Sequence, residues 1–124
     1  SVVENTEAVG IKVQDKAAGG AKVKFVNCEL RNVANTKAYS GAWAPVWIHL
    51  FRPEVSPIMG GIEFLNLSIE DDVNRPAFVF EQAPGAAPMR DISGTVRLNG
   101  PAGMRNIALP KGDNITLSLT DHTW

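Results

Sequence analysis

Two stretches of the chain decide the fold: VKFVNCELRNV at residues 23–33 and IEFLNLSIEDDV at residues 62–73. In each, apolar and polar residues alternate as in a β-strand, until an asparagine interrupts the pattern, Asn27 in the first and Asn66 in the second. A strand that bends without a hairpin needs a residue that tolerates left-handed backbone angles, and asparagine and glycine are such residues. We therefore predict a corner at each asparagine.

Strand-like alternation recurs along the whole chain, whereas helix signals are nearly absent. The alternating runs are GIKVQ (10–14), AKVKFV (21–26), PVWIHLF (45–51), GIEFL (61–65), PAFVFE (76–81), ISGTVRL (92–98) and NITLSLT (114–120). Eleven glycines and eight prolines punctuate the sequence between them. The sequence therefore predicts an all-β protein.

The runs also form a repeat. A first strand, a loop, a second strand, a turn and a short third strand occur three times, at intervals of about thirty to forty residues, which is typical of a stacked repeat. Phe25 then lies over Phe64, and the side chains of Asn27 and Asn66 stack and can hydrogen-bond to one another. Gly94 is predicted at the corresponding corner of the third unit.

The two stretches resemble the coils of right-handed single-stranded parallel β-helix proteins, the pectate-lyase-like superfamily. The resemblance covers residues 10 to about 119 and implies about three coils, three parallel sheets and an elongated groove outside one sheet, but no particular activity. The alternative that the same strands permit is a β-sandwich of about seven antiparallel strands.

Length and composition narrow the possible partners. The 124 residues fit a single domain, 1–124, and 12 basic against 13 acidic residues leave no excess charge for a nucleic acid or an anionic membrane. No apolar run is long enough to span a membrane. Cys28 is the only cysteine, so no intrachain disulfide can form, and we expect it to be a small buried hydrophobe.

Three coils are few for a stacked repeat, whose open ends must be covered. We therefore expect the chain to be a portion of a larger β-helix protein, or to self-associate or pair with another chain through its strand edges. The chain begins with Ser1 rather than methionine, so an export signal could have been removed, and an extracellular or periplasmic location is expected.

The phase of the alternation identifies a candidate binding face. If Val46, Ile48 and their in-phase neighbours point inward, Lys12, Trp47, His49 and Glu81 share an outward column. A tryptophan beside charged groups suits a sugar, because the ring stacks on the pyranose and polar groups fix its hydroxyls.

With Arg52, these residues are predicted to bind a polysaccharide or oligosaccharide, and the basic ones would neutralise uronate charge. The alternative is that the loop 34–44 covers Trp47 and Phe51, with Tyr39 and Trp43 packed over them.

Catalysis is uncertain. His49 is the candidate general base of a polysaccharide lyase or glycoside hydrolase, although a lone histidine on a strand is more typical of a structural residue. The acidic triplet Glu70, Asp71 and Asp72 could hold calcium, but we expect a solvated turn paired with Arg75. Because the catalytic residues of such enzymes cannot be matched here, no cofactor or metal is expected, and a noncatalytic structural or assembly module is the alternative function.

Overall fold

The computed structural model describes residues 2–6, 9–34, 44–52, 58–85 and 87–121. These residues form nine β-strands and a short 3-10 helix, Ala102–Arg105, with no α-helix among them, so the all-β prediction is confirmed. The strands are β1 (Val2–Glu4), β2 (Ile11–Gln14), β3 (Val23–Val26), β4 (Glu29–Arg31), β5 (Val46–Leu50), β6 (Gly60–Glu70), β7 (Phe78–Gln82), β8 (Met89–Asn99) and β9 (Gly112–Asp121).

All pairs between these strands are parallel. One sheet has the order β1-β4-β6-β8-β9, with β3 also paired to β6, and a second sheet has the order β2-β5-β7. An isolated bridge between Ala17 and Met59 is antiparallel. The antiparallel sandwich is therefore wrong for the described part of the chain, whereas parallel pairing is compatible with a β-helix.

The register divides the strands into three columns. The first column holds β3 and the first halves of β6, β8 and β9; the second holds β1, β4 and the second halves of β6, β8 and β9. The third holds β2, β5 and β7. Within the described residues, the columns thus contain four, five and three strands, respectively.

The corner between the first and second columns has the predicted asparagines. Asn27 and Asn66 have left-handed φ angles of 53° and 60°, and Asn66 Nδ2 donates to Asn27 Oδ1 at 2.9 Å. Just before the corner, the rings of Phe25 and Phe64 stack with their centroids 5.1 Å apart. Asparagine suits the corner because its short polar side chain bonds locally while its backbone adopts the left-handed region.

Gly94 does not occupy the third corner, which corrects the prediction. It pairs in register with Phe64, and its φ is not among the positive values. The register shifts between Phe64 and Leu67, so that β8 passes the corner with a single residue, Thr95, whose Oγ1 accepts from Asn66 N at 2.9 Å. A Cβ on Gly94 would lie 3.1 Å from Leu117 Cδ2 and 3.2 Å from Phe64 Cβ, so the glycine serves close packing.

Two further side-chain pairs of this kind, one after β1 and β4 and one inside β8 and β9, were not predicted from the sequence. Asn32 Nδ2 donates to Asn5 Oδ1 at 2.9 Å, and Asn114 Nδ2 donates to Asp91 Oδ1 at 3.0 Å. All four residues have left-handed φ angles between 49° and 59°. In each pair, as at Asn66 and Asn27, the later residue donates to the earlier one.

The core lies between the sheets and has the predicted phase. The buried hydrophobic side chains of the β-strands are Ile11, Val13, Leu30, Val46, Ile48, Leu50, Ile62, Phe64, Leu67, Ile69, Phe78, Met89, Ile92, Val96 and Leu98. Cys28 is half-buried and packs against this core. The alternate residues of β2, β5 and β7 consequently point outward.

Candidate functional site

The outward face of β2, β5 and β7 brings most of the predicted binding residues together. The register places Lys12 beside Trp47, and His49 between Gln14 and Glu81. We call the row formed by Lys12, Trp47, His49, Phe51 and Glu81 the outward face. It exists because side chains at alternate positions of parallel, in-register strands form columns.

The outward face is closely packed along β5. Lys12 Nζ lies 4.4 Å from the centroid of the Trp47 ring, a distance that suits a cation–π interaction. The rings of Trp47 and His49 stack with centroids 4.9 Å apart and planes 12° apart, and Phe51 follows at 5.4 Å from His49 in a tilted arrangement. Trp47 and His49 of β5, with Phe51 directly after the strand, therefore form a row of three rings.

The two ends of this row differ in exposure. Trp47 is half-buried and already contacts Lys12 and His49, whereas Phe51 is 58% exposed. Phe51 therefore offers the larger ring surface to a ligand, and the sequence-based list of binding residues did not include it. The proposed cover by Tyr39 and Trp43 lies outside the described residues.

The ring of His49 is buried between those of Trp47 and Phe51. It is only 9% exposed, and its Nε2 lies 3.3 Å from Glu81 Oε1. Its Nδ1 is buried and has no hydrogen-bond partner within the described ranges. Proton abstraction from a substrate would therefore require Glu81 to release Nε2.

Asp15 organises the chain at the end of β5. Its Oδ1 accepts from the backbone N–H groups of Phe51 and Arg52, each at 2.8 Å, and its own N–H donates to the carbonyl of His49 at 3.0 Å. Arg52 is thus placed beside the outward face, where its residue is exposed. An aspartate directly after a strand is a turn signal, and this signal could have identified Asp15 in the sequence.

The surroundings of Asp15 favour its ionised form. Partial burial raises the pKa of Asp15, but the hydrogen bonds from Arg52 and Phe51, with smaller contributions from Gln14 and His49, outweigh that effect. The pKa lies below its ordinary value of 3.8 as a result. The carboxylate that anchors Phe51 and Arg52 is therefore charged at neutral pH.

The acidic triplet lies elsewhere and is only partly the solvated turn that we expected. Glu70 and Asp72 are exposed, but the Asp71 side chain is 2% exposed and its Oδ2 accepts from Arg75 Nε at 2.8 Å. Arg75 also donates to the carbonyls of Val33 and Ala34. The three acidic residues line a cleft of about 280 Å³, yet in the described part of the chain no cluster of three or more His, Cys, Asp or Glu residues is arranged to hold a metal ion.

Comparisons of the chain with protein-family models, with curated proteins and with solved structures give no match. Across the described ranges, no helix has the length and apolar character needed to cross a bilayer. The function is therefore inferred from the side chains and strand edges themselves.

Proposed function

We propose that the chain is a module of a right-handed parallel β-helix of the pectate-lyase-like kind, and that it binds a polysaccharide or oligosaccharide along the outward face. Parallel pairing throughout the strands and the stacked pair Asn27 and Asn66 support the β-helix. The outward face supports the ligand class, because it combines rings with charged groups of both signs.

The exposed ring of Phe51 at the end of this charged row is the observation that carries the proposal. A pyranose stacks on Phe51, while Lys12 and Arg52 pair with carboxylates or donate to hydroxyls of neighbouring sugar units. Glu81 accepts from sugar hydroxyls when it is not engaged by His49. The ring centroids of Trp47 and Phe51 lie at most about 10 Å apart, so the row accommodates a ligand longer than one sugar ring.

A glycan array with matched variants tests the proposal. Phe51→Ala is expected to weaken glycan binding about tenfold. Trp47→Ala should weaken it less, because the Trp47 ring is half-buried. Lys12→Ala should weaken the binding of acidic glycans only. The control is Leu65→Ala, which removes another exposed apolar side chain, 40% exposed, from β6 in the other sheet. Equal loss of binding in Leu65→Ala, or no loss in any variant of the outward face, would refute the proposed site.

The geometry favours binding over turnover, because Nε2 of His49 is occupied by Glu81 and Nδ1 is buried. We therefore expect no cleavage of acidic polysaccharides. Cleavage that disappears in His49→Ala would instead identify a lyase or hydrolase. The ligand class also makes an extracellular or periplasmic location the expected one, and fractionation of the producing cells tests it.

A second candidate is a noncatalytic assembly module that pairs through an open strand edge. The observation in its favour is the edge of β9, which pairs only with β8 in the described part of the chain. Sedimentation velocity of the chain, alone and with other proteins from the same source, tests this candidate. A strict monomer that binds no polypeptide would contradict it.

A further inference from the structure

The ammonium group of Lys12 is held by a ring rather than by an ion pair. Lys12 is exposed, and its Nζ lies over the ring of Trp47, 4.4 Å from the centroid. Lys22 shows the other arrangement, because its Nζ donates to Glu63 Oε1 at 2.8 Å. Within the described residues Lys12 has no such carboxylate partner. The charge of Lys12 is therefore not neutralised and is available to an anion.

The register and the neighbouring rings hold Trp47 in place beneath this ammonium group. Lys12 and Trp47 are directly opposite in the parallel pair of β2 and β5, so their side chains are neighbours on the outward face. The His49 ring stacks on Trp47 with the two planes 12° apart, and Glu81 holds His49 through Nε2. The indole plane is thus fixed from within the outward face, whereas a free lysine side chain would have many rotamers.

We propose that Trp47 is a positioning residue, whose ring holds the Lys12 ammonium group where it pairs with a carboxylate of a uronate-containing polysaccharide. This inference rests on the proposed glycan-binding function and adds the means by which the outward face selects acidic ligands. A ring face attracts a cation without neutralising it, and a lysine that is already ordered loses less side-chain entropy when the carboxylate binds.

This role differs from that of a ring on which a sugar stacks. The Lys12 ammonium group already lies over the Trp47 ring, whereas the ring of Phe51 is 58% exposed and offers the stacking surface. A stacking ring contributes equally to charged and uncharged sugars, because it contacts their C–H groups. A ring that acts through Lys12 contributes only to ligands that have a carboxylate.

Matched charged and uncharged sugars test the proposal. The probes are hexasaccharides of galacturonate, glucuronate and mannuronate, each also in its methyl-esterified form, which has no charge. Trp47→Leu is expected to weaken binding of the charged forms about threefold and to leave binding of the esterified forms unchanged. Trp47→Phe keeps a ring face for the ammonium group and should retain most of the affinity.

A combined variant shows whether Trp47 acts through Lys12. Lys12→Ala should weaken binding of the charged forms at least about threefold. The variant with both Trp47→Leu and Lys12→Ala should bind as Lys12→Ala does, because the ring then has no ammonium group to position. Lys22→Ala is the control, since it removes the same charge from a lysine that Glu63 already neutralises, and it should leave binding unchanged.

NMR of the chain without ligand tests the contact itself. The ε-methylene protons of Lys12 should resonate upfield because of the Trp47 ring, and this shift should disappear in Trp47→Leu and persist in Trp47→Phe. If Trp47→Leu does not fold, ring-fluorinated tryptophan replaces it, because fluorine weakens the negative potential of the ring face and nearly keeps its shape. The same selective loss of the charged forms is then expected, and none when Trp47→Phe is labelled in the same way.

The outcomes separate the inference from the function on which it rests. Equal loss of charged and esterified forms in Trp47→Leu would overturn the positioning role, because the ring would then contact the sugar itself. Losses that multiply in the combined variant, or a loss in Lys22→Ala equal to that in Lys12→Ala, would also overturn it and leave glycan binding intact. If neutral glycans bind and no uronate hexasaccharide does, the acidic ligand class is wrong. Absence of binding for every glycan would overturn both.

Discussion

The middle and the ends of the first column contain the same kinds of side chain in different surroundings. Phe64 in β6 is fully buried and Phe25 in β3 is half-buried, although their rings stack directly on one another. On the other side, Ile92 in β8 is fully buried and Ile115 in β9 is not. A residue in a middle strand of the column is therefore expected to contribute more to stability than its counterpart in an end strand. The end strands keep apolar surface that is free for other contacts.

The largest expected effect distinguishes the two phenylalanines. Phe64→Ala should lower the free energy of unfolding by about 3–5 kcal/mol, because it leaves a cavity in contact with Phe25 and Phe78. Phe25→Ala should cost about 1–2 kcal/mol, because part of that side chain is already exposed to water. Chemical denaturation measures both values, and equal losses would contradict the difference between middle and end.

Ion pairs should show the same contrast. Arg75→Ala leaves the buried Asp71 carboxylate without its cation and is expected to cost about 3 kcal/mol. Arg105 pairs with Asp121 at the end of β9, where the Asp121 side chain is 64% exposed. Arg105→Ala should therefore cost no more than about 1 kcal/mol. Thermal unfolding of the two variants under identical salt conditions makes the comparison.

The corner at Asn66 should be sensitive to backbone preference. Asn66→Ala is expected to cost about 1–2 kcal/mol, because alanine disfavours the left-handed region and the bond to Asn27 is lost. Asn66→Gly loses the same bond but tolerates the backbone, so it should be less destabilising than Asn66→Ala. A larger loss in the glycine variant would contradict the role assigned to the left-handed backbone at this corner.

The smallest effect concerns pH. The pKa of Asp15 is lowered in the folded chain, so its ionised form stabilises the fold above the ordinary pKa of 3.8, and this contribution is lost as the pH falls through the folded-state value. Asp15→Asn keeps an oxygen acceptor and removes the titration. The stability difference between the two proteins should shrink at acidic pH, and a constant difference would exclude a role for this carboxylate.

The sequence predicted what depends on local pattern. The strand phase around Val46 and Ile48 and the corner at Asn27 and Asn66 follow from alternation and from the backbone tolerance of asparagine. The prediction for Gly94 was wrong because β8 passes the corner with one residue fewer than β6. The number of residues at the corner depends on the register with the neighbouring strand, which the sequence of β8 alone does not show.

Other features depend on which strands become neighbours in space. Two of the side-chain pairs join residues that are far apart in the sequence: Asn5 with Asn32, 27 positions apart, and Asp91 with Asn114, 23 positions apart. Neither pair interrupts a long alternating run, so the sequence pattern does not reveal them. The exposure of Phe51 depends on contacts beyond the end of β5, where Asp15, directly after β2, holds the chain. These features follow from the folded register, which a single sequence does not specify.

The three side-chain pairs formed by left-handed Asn and Asp residues all have the same direction, from the later amide to the earlier oxygen. The row at the corner of Asn27 and Asn66 ends at β8, because there Thr95 Oγ1 accepts from Asn66 N and the donor is the earlier residue. A further repeat would therefore extend this row of amide bonds only if it placed another asparagine at the corner.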